Sequence, residues 1–286
     1  MRLVSYKSAG IDGFGGLDVQ GLIPLTAEFG GRARSLKEII ALYSNAQIAA
    51  ALSAVKARIP LDTAEFLPVI PDPSKIFCIG VNYETHRAET GRERSGHPIV
   101  FVRVAGSQVG HRAPLVKPRV SDRFDYEGEI ALVIGKGGRD IAEKDAYGHV
   151  FGYSCYNDGS VRDWQFHTTQ WAPGKNFEGS GAFGPWLVTP DELDPIETLK
   201  LETRLNGVTL QSAHVSEMIF SIPEQIAYLS TVVTLLPGDV IVTGTPGGVG
   251  VKRDPPIFMK QGDTCEVEVS GIGVLTNPVI NQGWSR

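Results

Sequence analysis

Glu127 and Glu129 flank Gly128 in the run Phe124-Asp125-Tyr126-Glu127-Gly128-Glu129-Ile130-Ala131-Leu132-Val133-Ile134. Ile130 to Ile134 is short, apolar and rich in β-branched residues, and Gly135-Lys136-Gly137-Gly138 closes it, so the run reads as a strand. Strand side chains alternate faces, which points both glutamates the same way. Two carboxylates side by side at the mouth of a buried strand repel, and each resists ionising alone. A hard divalent cation with oxygen ligands is the simplest neutralising partner. An exposed edge strand carrying two solvated glutamates is the competing reading.

Other stretches carry weaker signals of the same kind. Asp158 falls where the strand His149-Tyr156 ends in a turn, and Arg162 and Gln165 come four and seven positions later, one face of a helical turn if one forms. Taken alone, the stretch reads better as an Asp158-Gly159 turn before a short amphipathic helix, with Arg162 and Asp163 solvated. Lys175, in Pro173-Gly174-Lys175-Asn176-Phe177, is either a solvated lysine or a cationic anchor for a carboxylate or enolate. His86 and Glu89 come after the strand Ile76-Ile79 and form an i, i+3 pair if helical, an arrangement that orients and activates an imidazole. Thr243-Gly244-Thr245-Pro246-Gly247-Gly248-Val249-Gly250 is glycine-rich but has neither the Gly-Lys-Ser/Thr ending of a phosphate loop nor a dinucleotide fingerprint.

The elements that must position these residues divide in two. Residues 1–72 read as a small α+β unit, with strands at Arg2–Tyr6 and Leu22–Leu25, turns at Gly13–Gly16, and a helix opened by the capping box Ser35-Leu36-Lys37-Glu38. Apolar residues at Leu36, Ile39, Ile40, Tyr43, Ala46 and Ala50 give that helix one buried face, with continuation expected through Ala57. A proline-rich link, Leu67 to Pro73, ends the unit. Residues 73–286 then read as many short strands between Gly and Pro. Asn206-Gly207 is a hairpin signal, and a second capping box at Ser221-Ile222-Pro223-Glu224 starts one of few helices. The fold class expected is mostly β, an α+β chain with a rolled or barrel-like mixed sheet.

Composition narrows the function. The 286 residues carry a net charge of −5, with no basic excess to favour nucleic acid. No apolar run approaches the roughly 20 residues a bilayer requires, so no membrane partner is expected. Cys78, Cys155 and Cys265 are odd in number and far apart, which disfavours disulfide or zinc frameworks and suits the cytoplasm.

Taken in order, these blocks resemble the fumarylacetoacetate hydrolase family from about Ser74 onward. The matching segments are Gly80-Val81-Asn82-Tyr83 with His86 and Glu89, Asp125 to Glu129, Asn157 to Asp163, Gly174 to Phe177, Gly184-Pro185-Trp186, Leu236-Pro237-Gly238-Asp239, and Thr243 to Pro246. The resemblance implies that Glu127, Glu129 and Asp158 bind one Mg²⁺ or Mn²⁺ per subunit. Lys175, Arg162, Gln165 and Thr245 would then contact a small 2-oxo or 2,4-dioxo acid. His86 and Glu89 would activate water from a lid segment, and the chain would be a homodimer. The activity expected is hydrolysis of a C–C bond in a 2,4-dioxo acid of the acylpyruvate, fumarylpyruvate or fumarylacetoacetate type. The alternative keeps the site but makes the enzyme a decarboxylase, tautomerase or hydratase of a 2-oxo acid such as oxaloacetate, because the same enolate forms in each. A β-rich binding protein without turnover is the reading from another class. Two departures stand out. Phe101-Val102-Arg103-Val104-Ala105 replaces a Lys-Pro-Pro common among relatives, so Arg103 either meets a second substrate carboxylate, the reading preferred here, or is structural. Gly128 replaces a larger residue on the face away from the metal.

Overall fold

The computed structural model describes residues 1–29 and 31–283. Two β-sheets make up most of it. The larger has eleven strands, with Gly128–Ile134, Val150–Asn157 and Val240–Val242 at its centre, flanked by Ile76–Gly80 and the edge strand Ile99–Arg103 on one side. On the other side, Gly181–Val188 leads to the N-terminal strands. The smaller sheet has five strands, running Val208–His214, Lys200–Leu205, Thr264–Val269, Gly273–Asn281 and Leu115–Lys117. The architecture is the β-rich α+β class expected from the strand pattern.

Gly128–Ile134 is buried along its whole length because both its faces are covered. Ile130, Leu132 and Ile134 pack in one core with Leu201, Val267 and Leu275 of the smaller sheet. Ala131 and Val133 face the other way, into a second core with Leu36, Ile39 and Ile40. This explains the continuous apolar run, since a strand covered on both sides has no solvent face to alternate with.

The N-terminal segment joins the large sheet through Arg2–Ser8, which pairs antiparallel with Gly181–Val188. Ile11–Asp18, in which the Gly13–Gly16 stretch was expected to turn, is instead a full strand pairing on both sides. Its glycines answer to close packing, because a Cβ on Gly15 would lie 1.9 Å from the carbonyl oxygen of Ile23. The single helix expected from Ser35 is two, Leu36–Leu42 and Asn45–Ala54. Ser44 breaks it by capping the second, its hydroxyl accepting from the amide of Gln47 while Gln47 reaches back. Asn206 and Gly207 both have positive φ, 53° and 79°, as a two-residue hairpin requires. Ser221 caps Ile222–Val232 with the reciprocal box read from the sequence. No helix among the described residues is long and apolar enough to cross a membrane.

Candidate active site

Register brings the acidic residues together. Gly128–Ile134 pairs antiparallel with Val150–Asn157, with Gly128 opposite Asn157, and one step further the amide of Asp158 donates to the carbonyl of Glu127 at 2.8 Å. Thus residues 31 positions apart in sequence meet at one sheet end. Val240–Val242 pairs on the other side, with Ala131 opposite Val242, and this carries the amide of Gly244 to within 2.6 Å of Glu129 Oε2. Carboxylate oxygens of Glu127, Glu129 and Asp158 all lie within 4.8 Å of one another, and all three residues are buried. The backbone around them is held by side chains: Glu127 donates its amide to Asn157 Oδ1 and Gly128 to Gln211 Oε1.

Three cations share this interior. Lys175 Nζ lies 2.6 Å from Glu127 Oε2 and 2.7 Å from Asp158 Oδ2. Arg162 donates through Nε to Asp125 Oδ2 at 2.8 Å and through Nη1 to Gln165 Oε1 at 3.0 Å. Its Nη2 sits 2.7 Å from Glu127 Oε1 but out of line for a hydrogen bond, which leaves that buried nitrogen without one. Arg103 was expected to reach substrate, and here the structure corrects the sequence reading. Its side chain is fully buried behind Asp158, bonded to that carboxylate, to the carbonyl of Gly159 at 3.1 Å and to Ser180 Oγ at 2.8 Å. It is absent from the cavity wall. Arg103 is occupied in holding Asp158.

The cluster contains four buried carboxylates (Asp125, Glu127, Glu129, Asp158) and three buried cations (Arg103, Arg162, Lys175). The shortfall falls on Glu129, the one carboxylate of the four with no cation paired to it among the described residues. Burial pushes its carboxyl well above the usual range, and the charges of Asp158 and Glu127 push the same way. Glu127 moves oppositely, because Arg162 and Lys175 outweigh the burial that disfavours its charge. A buried acid lacking a counter-charge, converging with two others, fits a hard divalent cation bound through oxygen.

A lid closes over this floor. The turn out of Ile76–Gly80 holds Val81 at φ 55°, an uncommon conformation for a β-branched residue and a form of strain concentrated at functional sites. Asn82 pins the turn, its amide nitrogen donating to the carbonyls of Thr243 at 2.7 Å and Phe220 at 3.0 Å. The helix Glu84–Thr90 comes next, placing His86 Nδ1 2.7 Å from Glu89 Oε1. The helix docks on the glycine-rich loop through two amides: Gly248 donates to Glu89 Oε2 at 2.8 Å and Gly247 to Thr85 Oγ1 at 3.0 Å. His86, Glu127, Glu129, Arg162, Gln165, Lys175 and Thr245 therefore line one cavity of about 50 Å³. The hydroxyl of Thr245 donates to the carbonyl of Gly128 at 2.9 Å and accepts from Gln211 Nε2 at 2.8 Å, so it anchors the loop against the strand.

Several contributors carry no role that the sequence alone assigns. Asp125 accepts from Arg162 and from the amides of Gly250 and Val251, fastening the loop to the cluster. Asn82, Asn157 and Gln211 act on backbone groups. Two of these are visible in outline, since Asp125 precedes Glu127 by two and Asn157 precedes Asp158. Gln211 comes from the smaller sheet and has no local signal. Gly128 does face away from the acids, as expected, but it is tightly packed: a Cβ there would lie 1.9 Å from Thr203 Oγ1.

Comparison with known proteins gives the same answer for the family and a different one for the reaction. Oxaloacetate tautomerase YisK of Bacillus subtilis (strain 168) is 46% identical over 215 residues, spanning 73% of this chain and 71% of the relative. Oxaloacetate tautomerase FAHD2A, mitochondrial, of Homo sapiens is 41% identical over 232 residues, spanning 80% and 74%. The crystal structure of maleylpyruvate hydrolase from Sphingobium sp. SYK-6, in complex with manganese(II) ion and pyruvate, superposes with a TM-score of 0.81 at 29% identity, covering 98% of this chain and 99% of that one. The two named tautomerases overturn the expectation of a hydrolase acting on C–C bonds. That reading failed for a physical reason: an acidic triad and a His–Glu pair serve any reaction through an enolate, and these residues do not encode the fate of the enolate once it has formed. The family described as fumarylacetoacetate (FAA) hydrolase C-terminal matches residues 75–280, so the chain belongs to the fumarylacetoacetate hydrolase family.

Proposed function

We propose that the protein is a divalent-metal-dependent tautomerase that interconverts the enol and keto forms of a small 2-oxo acid, oxaloacetate first among them. The observation that carries this is that Glu127 and Glu129, two members of the buried triad completed by Asp158, line one cavity with His86, whose ring is held by Glu89. The names of the two tautomerase relatives support the choice of reaction. The cavity has room for roughly three to five water-sized groups on the usual measure, which suits a short acid better than a bulky acyl chain.

Glu127, Glu129 and Asp158 would hold Mg²⁺ or Mn²⁺, which when bound supplies Lewis-acid stabilisation of negative charge on the substrate's oxo oxygen. The rest is done by the chain. Glu89 accepts from His86 Nδ1, which fixes the tautomer and leaves Nε2 as the basic nitrogen. In the enolising direction Nε2 takes a proton from C3, the C3–H electron pair becomes the C2–C3 double bond, and the oxo oxygen takes a proton back from the imidazolium, which returns to neutral. Ketonisation is the reverse, so no group is lost and no water is consumed. Lys175 and Arg162 bring positive charge to the enolate as it forms. Gln165 has its carbonyl oxygen committed to Arg162, which leaves its amide N–H groups for the substrate carboxylate. The assembly proposed is a homodimer, and the edge strand Ile99–Arg103 with exposed Val100 and Val102 is the surface that favours it.

The test is the rate at which enol-oxaloacetate absorbance decays with Mg²⁺ or Mn²⁺, against the same protein in EDTA. Acceleration that EDTA removes supports the reading. A rate equal to buffer alone in both conditions, or release of pyruvate and CO₂ as the only turnover, overturns it.

A further inference from the structure

Two cations at the cavity wall have no role in proton transfer or in the acidic cluster. Arg92 lies just beyond the lid helix, and Lys252 lies on the loop after Gly250, so they reach the cavity from separate segments. Both side chains are exposed, and neither makes an ion pair or a hydrogen bond among the described residues. The neighbouring cations differ. Arg87 is bound to Glu84 by hydrogen bonds of 2.6 to 3.0 Å, and Arg253 is committed to Tyr126 Oη and to the carbonyls of Gly248 and Leu210. Arg92 is also held in place. Its guanidinium lies 4.9 Å over the Trp171 ring, which leaves the planar fork of N–H donors free at its edge. Trp171 cannot retreat, because it packs on Phe101 and against Gly80, where a Cβ would lie 2.3 Å from the ring.

The cavity therefore has an acidic cluster with its own cations and, in the same lining, two further cations that no anion among the described residues neutralises. A 2-oxo acid with one carboxylate would engage only the floor. We infer that Arg92 and Lys252 bind the distal carboxylate of a dicarboxylic 2-oxo acid and so select dicarboxylates over monocarboxylates of equal length. This rests on the tautomerase reading and deepens it, for the pair are specificity residues and take no part in proton transfer. Exposed charge pairs are screened, but a planar guanidinium held on an aromatic face loses little entropy in binding a carboxylate.

The experiment compares 2-oxoglutarate with 2-oxopentanoate, five-carbon acids that differ in the distal carboxylate. Their affinities for the Mg²⁺-loaded protein are measured by calorimetry, in wild type and in Arg92→Met/Lys252→Met. Wild type is expected to favour 2-oxoglutarate at least about tenfold. The double variant should lose that preference while its affinity for 2-oxopentanoate changes less than about twofold. In parallel, KM for oxaloacetate should rise about tenfold or more in the variant with kcat nearly unchanged. Equal affinities in wild type, or equal losses for both acids in the variant, overturn the inference. If calorimetry shows the dicarboxylate preference and its loss but oxaloacetate is not tautomerised, the recognition site stands and the proposed reaction falls.

Discussion

Glu129→Gln should change stability in opposite directions with and without metal. Glu129 is buried with no cation paired to it among the described residues, and oxygens of Glu127 and Asp158 lie within 4.8 Å. At that separation two unit charges repel by about 3.5 kcal/mol for an effective dielectric near 20. Protonation limits this cost, since burial and the neighbouring charges both raise the carboxyl's pKa in the folded state. Between the unfolded glutamate's pKa and the raised folded one, the native protein binds more protons than the unfolded chain, so stability falls as pH rises. Gln is permanently neutral and removes that slope. In EDTA, urea unfolding should show wild type losing stability relative to the variant from pH 5 to pH 8, so that the variant becomes the more stable of the two at the upper end. With Mg²⁺ the order reverses: a ligand at about 100 times its Kd adds about 2.7 kcal/mol to wild type, and the variant, short of one anionic ligand, gains little. Activity should disappear with the metal gain. A variant less stable than wild type in EDTA at every pH, or one that gains as much from Mg²⁺, would refute the account of Glu129 as an acid awaiting a cation.

Three other outcomes are expected from the same geometry. His86→Ala should lower kcat for enol–keto conversion by roughly 10²- to 10⁴-fold while the Mg²⁺-induced rise in Tm stays as in wild type; an unchanged kcat would remove His86 from proton transfer. Arg103→Met leaves Asp158 with one cation instead of two, and should cost about 3–5 kcal/mol in urea unfolding, with Arg103→Lys recovering part of it; a loss below about 1 kcal/mol would mean Arg103 does not hold the site. Burial, with help from Arg112, pushes the His111 imidazole down to about 4, and its Nδ1 accepts from the amide of Thr276 at 3.1 Å. The unfolded chain therefore takes up a proton between about 6.5 and about 4 that the native state refuses, so stability falls as pH drops through that window, by roughly 3 kcal/mol at most. His111→Gln, which keeps an acceptor but cannot be protonated there, should flatten the fall; an unaltered slope would exclude His111 as its source.

What the sequence could and could not disclose depends on how far each property lies from its own residues. The facing of Glu127 and Glu129 is a one-residue spacing on a strand, and the pairing of His86 with Glu89 is one helical turn, so both are legible locally. The capping box at Ser221 and the Asn206-Gly207 turn are local in the same sense. Ser44 escapes a local reading because the apolar periodicity runs straight through it from Leu36 to Ala50, and only the reciprocal bonds with Gln47 show two helices. Ile11–Asp18 misleads for a related reason: glycine is the usual signature of a turn, but here it marks close contact with Ile23, Leu52 and Tyr6, which no stretch of eight residues can reveal.

Arg103 exposes a deeper limit. A cation beside a catalytic block can meet a substrate anion or a protein one, and composition treats the two alike. The decision is made by register, because the antiparallel pairing that brings Asp158 to Glu127 also leaves the buried side of Asp158 needing a partner. Arg103 enters from the edge strand Ile99–Arg103, three strands removed from Gly128–Ile134 in the sheet order, and fills that need, so it has nothing left to offer a ligand. Arg92 shows the converse, with an aromatic face to hold it and no anion paired to it among the described residues. What separates Arg103 from Lys175 and Arg162, which are also paired yet line the cavity, is that its side chain is enclosed behind Asp158, a property of contacts far apart in the chain.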